Sequence, residues 1–98
     1  MHTPPHPGTV LKDCYFDHLE ISIVEFAAAL GMTRQAVSAV LNGKAGISSD
    51  LAVKLGKFFD TTPELWSRMQ AGYDLAQSKK RVDLSNVKTA VFLQQNRM

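Results

Sequence analysis

Ninety-eight residues, 45% of them apolar, suffice for one domain with its own core, and dimerisation would help a chain this short. The formal charge of +2 is small, so it permits a nucleic-acid partner only where basic side chains gather on one face. Cys14 is the only cysteine, which excludes an intrachain disulfide and fits a reducing compartment.

The N-terminal run MHTPPHPG lacks the basic-then-apolar order of a secretory leader. No apolar run approaches the roughly 18 residues of a membrane span. The expectation is a cytoplasmic protein with no membrane contact.

Residues 1–7 carry three prolines and two histidines and are expected to form an extended lead. Helix one is predicted from Gly8 to Leu19, with Pro7 near its start. Val10, Leu11, Cys14, Tyr15 and Leu19 recur at helical spacing and mark its buried face.

Helix two has a strong start signal. Ser22 and Glu25 make an S-x-x-E capping box, and Ile21 and Phe26 are placed as a hydrophobic staple. Gly31 closes this helix, Thr33 caps helix three, and Asn42-Gly43 ends it.

Helix four follows Ser48 or Ser49, with Asp50 in its first turn to suit the dipole. Its inner face carries Leu51, Ala52, Leu55 and Phe58 or Phe59. Thr62-Pro63-Glu64 opens helix five, which carries Leu65, Trp66, Met69, Tyr73 and Ala76. Trp66, Met69 and Tyr73 suit a core stripe, or a dimer surface where five short helices leave large side chains uncovered. Gly72 leaves space for a second helix to approach.

Residues 78–81, SKKR, mark a boundary. The expected organisation is therefore a lead over 1–7, a helix-turn-helix domain over 8–77 and a C-terminal tail over 78–98. Val82 and Leu84 alternate with polar residues as in a strand. Ser85 is placed to cap a short helix bearing Val87, Ala90 and Val91. The fold class is all-α: a five-helix, lambda-repressor-like bundle.

The stretch SIVEFAAALGMTRQAVSAVLNGK over 22–44 carries the functional signal. Ala27, Gly31 and Val37 fall four and then six residues apart. A helix-turn-helix needs small residues at the first two places, for close helix packing and a left-handed turn, and an apolar one at the third. Its second helix lies in the major groove of DNA. The outer face of helix three bears Arg34, Gln35 and Ser38, the candidate base contacts. Arg and Gln suit bidentate contacts to guanine and adenine edges. Ser22, Thr33, Asn42 and Lys44 are candidates for backbone phosphates. The bland alternatives are a helical hairpin that binds nothing and a solvated polar face.

His2, His6, Cys14 and His18 are residue types that hold zinc, and Cys14 and His18 lie four apart on one side of helix one. Cys14 as a small hydrophobe in the apolar stripe is the better reading, and no metal or other cofactor is expected. Gly43-Lys44 lacks the rest of a phosphate loop, no G-x-S-x-G or H-E-x-x-H occurs, and the nine acids are scattered. The chain does not read as an enzyme.

These residues also carry a resemblance. PPHPG at 4–8, LGMTRQAVSAVLNGKAGIS at 30–48, LAVKL at 51–55 and TPELWSRMQAGYDLAQ at 62–77 resemble HigA-type antitoxins of the Xre/Cro helix-turn-helix superfamily. The resemblance implies a homodimeric antitoxin that binds operator DNA, represses its own operon and neutralises a HigB-like toxin, an mRNA-cleaving protein of RelE-like fold. Ala39 departs from the pattern where many relatives carry a basic residue. Asp60 departs where a glycine often closes helix four. A free-standing Xre-type repressor and a protein-binding adaptor are the alternatives.

Overall fold

The structure, a computed structural model, describes residues 3–97 and is all-helical among them. Six helices follow in order: α1 (Pro7–Val10), α2 (Ile23–Leu30), α3 (Arg34–Leu41), α4 (Ser49–Phe59), α5 (Pro63–Arg81) and α6 (Ala90–Gln95). Helices α1 to α5 form a packed head, and α6 lies in the tail.

Most helix starts follow from their own side chains. The Ser22 Oγ accepts from Glu25 N at 3.1 Å, and Glu25 Oε1 accepts from Ser22 N at 3.0 Å, so the capping box is closed in both directions. Thr33 caps α3, Ser48 caps α4, and Thr62 caps α5 with Pro63 at its first position. Gly31 ends α2 at φ 67°, the left-handed conformation that costs glycine nothing. Asp60 ends α4 in the same conformation, at φ 56°. The departure at Asp60 therefore leaves the turn in place but puts a side chain where glycine is at ease.

Helix one departs from expectation. After its single α turn at Pro7–Val10 the chain widens into a π turn over Leu11–Tyr15, then tightens into a 3-10 turn over Phe16–His18. The Phe16 N–H is shared between Leu11 O, five residues back, and Lys12 O, four back. That extra residue shifts the register of everything after Leu11. Cys14, expected in the buried stripe, is exposed. Phe16 turns inward instead and stacks on Phe26 with ring centroids 4.9 Å apart.

The core joins Leu11, Phe26, Leu30, Val37, Val40, Leu41, Ile47, Leu51, Leu55 and Trp66. Trp66 and Phe26 are 0% exposed. Tyr15 meets Trp66 edge-on at 4.9 Å, and Phe26 meets Phe58 edge-on at 5.1 Å. The indole N–H of Trp66 donates to Thr61 Oγ1 at 2.9 Å, so the buried polar atom is satisfied. Met69 packs against this core, and Tyr73 is half-buried. The stripe on α5 is thus interior rather than a free face.

Beyond the head the structure departs from the sequence expectations. Helix α5 runs through SKKR to Arg81, four residues into the expected tail. Residues 82–84 form no strand. Thr89, not Ser85, caps the tail helix, so Val87 lies before it. Every residue from Lys79 to Arg97 is exposed. The described chain measures 66 Å along its length and 22 Å across because the tail leaves the head.

Candidate nucleic-acid interface

Two local facts aim α3. Ala27 and Val37 are buried at the crossing of α2 and α3, so the polar residues of α3 point away from the core. The turn between them is closed by Met32 N donating to Ala27 O at 2.9 Å. The face so exposed is a shallow hollow of about 380 Å³ lined by Arg34, Gln35, Ser38, Ala39, Asn42 and Lys44.

Within this hollow the side chains differ in freedom. Arg34 and Gln35 are exposed and make no internal hydrogen bond or ion pair among the described residues. Their donors and acceptors are available to a partner. Ser38 and Asn42 are tied to each other, Asn42 Nδ2 donating to Ser38 Oγ at 3.2 Å. The Ser38 hydroxyl hydrogen remains free to donate. Lys44 is placed by its backbone: Lys44 N donates to Ala39 O at 2.8 Å, and Ala45 N to the same oxygen at 3.1 Å. Its ammonium therefore stands at the end of the hollow.

The hollow does not gather every candidate. Thr33 and Ser22 lie outside its lining, at the heads of α3 and α2. Each hydroxyl oxygen already accepts a capping bond, from Ala36 N at 3.1 Å and from Glu25 N at 3.1 Å. Each keeps one O–H to offer an anion. Ala39 forms part of the hollow's lining and adds no charge to it.

The residues that hold the far end of α3 escaped the sequence reading. Gly8 abuts it: a Cβ on Gly8 would stand 1.8 Å from the Val40 carbonyl oxygen. Backbone meets backbone there, and only glycine fits. Gln70 on α5 accepts from Ile47 N through Oε1 at 2.7 Å and so pins the loop between α3 and α4. Its Nε2 donates to Asp74 Oδ1 at 2.8 Å, which fixes the amide's orientation. The only signal for Gln70 was its place within the family-like segment at 62–77.

The metal alternative finds no geometry. Cys14 and His18 are both exposed, and His2 lies outside the described residues. His6 uses Nδ1 to accept from Gly8 N at 2.9 Å. Among the described residues no group of three or more His, Cys, Asp or Glu is placed to hold a metal ion. No helix among them is long and apolar enough to cross a membrane.

A small helical head that presents a polar second helix defines the class, a helix-turn-helix protein. A helix-turn-helix family profile matches residues 15–66. The chain belongs to that family, in its Xre-type branch. It is 50% identical over 78 residues to virulence-associated protein A' of Dichelobacter nodosus, covering 79% of this chain and 67% of that one. Its structural neighbours include antitoxins. Antitoxin HigA of Pseudomonas aeruginosa, solved with the higBA promoter, superposes with a TM-score of 0.79 at 30% identity, over 90% of this chain and 98% of that one. Antitoxin GraA in complex with its operator superposes at 0.76 and 33% identity, over 83% and 81%.

Proposed function

We propose that this protein is the antitoxin of a type II toxin–antitoxin pair. It represses its own operon by sequence-specific DNA binding and neutralises a RelE-like, mRNA-cleaving toxin. The observation that carries the DNA half is the face of α3, where unpaired Arg34 and Gln35 stand at the helix start and Lys44 at its end. Arg34, Gln35 and Ser38 read base edges, while Ser22, Thr33, Asn42 and Lys44 hold phosphates. The HigA and GraA structures, solved with promoter or operator DNA, support this reading. It places the protein in the cytoplasm with the DNA.

The protein acts as a homodimer with two recognition helices one DNA turn, about 34 Å, apart. One small, mildly basic head grips a half-site feebly, and pairing adds both sets of contacts. The toxin uses another surface. A tight protein interface needs apolar anchors, and α3 offers few. The tail offers Val87, Val91, Phe92 and Leu93, all exposed. That exposed tail supports the antitoxin reading, in which a toxin covers it.

Selection of DNA from a randomised pool by the purified protein tests the first half. Enrichment of a two-fold symmetric site is expected, and a pool that stays random sinks it. Co-expression with the neighbouring gene tests the second half. A small basic protein that co-purifies with this chain is expected, and continues to do so when Arg34 and Gln35 are both alanine. Loss of that partner in the folded double variant means that the two surfaces are one.

A further inference from the structure

The imidazole of His6 touches three parts of the head that lie far apart in sequence. Its Nδ1 accepts from Gly8 N at 2.9 Å and closes the first turn of α1. Its ring lies edge-on to Tyr73 of α5, with centroids 4.9 Å apart and an interplanar angle of 64°. Its third side faces Gly43, the residue before Lys44: a Cβ on Gly43 would stand 3.7 Å from the imidazole Cγ. Gly8, the residue His6 caps, is the one that abuts the Val40 carbonyl in the last turn of α3.

We infer that His6 is a positioning residue for DNA reading: its unprotonated ring locks the end of α3 and Lys44 against α1 and α5, and protonation of that ring weakens DNA binding. This rests on the DNA reading above. Helix caps are ordinarily Ser, Thr, Asp or Asn, none of which gains a positive charge. Histidine is the side chain whose charge changes between pH 5 and 8. The capping bond needs a lone pair on Nδ1. A protonated ring turns an N–H toward the Gly8 N–H, and the bond becomes a repulsion.

Among the described residues no carboxylate pairs with the His6 ring to turn that repulsion into an ion pair. Helix α1 has no acidic residue in its first turn. From α5 the titratable group facing the ring is the Tyr73 phenol, and the adjacent Asp74 is engaged by Gln70 Nε2 at 2.8 Å. The loop after α3 brings Gly43 and then Lys44, whose charge has the same sign as a protonated ring. Release of the cap therefore frees the segment that carries Lys44. The direction is diagnostic, because a histidine that touches phosphate as a cation strengthens DNA binding as pH falls.

The test titrates the full chain, at fixed ionic strength, against a duplex that the protein itself selects from a randomised pool. Wild type is expected to bind about tenfold more weakly at pH 5.5 than at pH 8, the size of a cap lost and a repulsion gained. His6→Asn keeps a capping acceptor that does not titrate, and its profile is expected to be flat. His18→Asn is expected to behave as wild type. Parallel profiles for wild type and His6→Asn overturn the inference, and so does tighter binding of wild type at pH 5.5. Amide resonances without DNA test the lock separately. Those of Gly8, Gly43 and Lys44 are expected to move together with the His6 ring in wild type and to stay still in His6→Asn. Amides of Gly43 and Lys44 that ignore the ring overturn the positioning role even where DNA binds. Moving amides with no DNA bound at either pH overturn the DNA reading and its pH dependence, and leave the lock in place.

Discussion

The head and the tail of this protein are built from similar residues and reach opposite ends. The head buries Phe26, Trp66, Leu11 and Leu55 almost completely. The tail leaves Leu84 67% exposed and Phe92 47% exposed. Apolar content alone does not decide burial. In the head five helical segments bring their stripes to one centre, where the Phe59 ring meets Tyr15, Phe26 and Trp66 with centroids no more than 6.0 Å apart. In the tail a single six-residue helix has no second stripe to meet. A helix that short has little stability of its own in water. In the proposed reading the tail is a surface kept for another molecule, whereas the head is complete.

The sharpest way to break this contrast is to remove one large side chain from each region. Phe26→Ala is expected to cost about 3–5 kcal/mol, from lost transfer energy and the cavity left behind. Phe92→Ala in the isolated chain is expected to stay within about 0.5 kcal/mol. Urea denaturation followed by circular dichroism measures both. A comparable loss in the two variants means that the tail folds back onto the head in solution.

Gly8→Ala tests the head by addition instead of removal. The new methyl would collide with a backbone oxygen, which cannot swing aside as a side chain can. The expected loss is about 3 kcal/mol or more, above ordinary overpacking. A thermal midpoint unchanged from wild type would mean that α1 does not press on the end of α3.

On the face proposed to meet DNA the expected effects are smaller and of two kinds. Arg34→Ala and Gln35→Ala are each expected to weaken binding to the selected site by about 1–3 kcal/mol per half-site. Lys44→Ala is expected to weaken all sequences alike and to flatten the salt dependence by about one charge. Titrations on selected and random duplexes separate the two. Equal losses on both for Arg34→Ala and Gln35→Ala mean that α3 does not read bases.

A smaller effect, of opposite sign, lies at the end of α4. Asp60→Gly removes a side chain from a left-handed residue and is expected to stabilise the head by about 0.5–1 kcal/mol. A drop in stability would show that the aspartate does more there than occupy the turn.

Much of the head was legible because its signals are local. Ser22 and Glu25 are three residues apart, Thr62 and Pro63 adjacent, and the bonds that cap a helix close within one turn. The face of α3 followed from those caps, since a helix start and one buried Val37 fix which residues look outward. Cys14 was misplaced, and Phe16 received no place in the buried stripe, because nothing in the spacing of LKDCYF shows the widened turn that moves one out and the other in. The bracing of α3 was illegible for a different reason. Gly8 with Val40, His6 with Tyr73 and Ile47 with Gln70 are pairs that only the finished packing brings together. The tail helix slipped from Ser85 to Thr89 because two capping residues compete where no core arbitrates.

One feature of the core gives the molecule a built-in optical reporter. Trp66 is the only tryptophan in the chain, it is fully enclosed, and Tyr15 and Phe59 crowd its ring. Its emission reports the state of the head alone. Unfolding of the head shifts that emission to the red, and docking of a partner on the distant tail leaves it silent. Fluorescence can therefore follow the head through a titration with a tryptophan-free protein that takes the tail, with no label added.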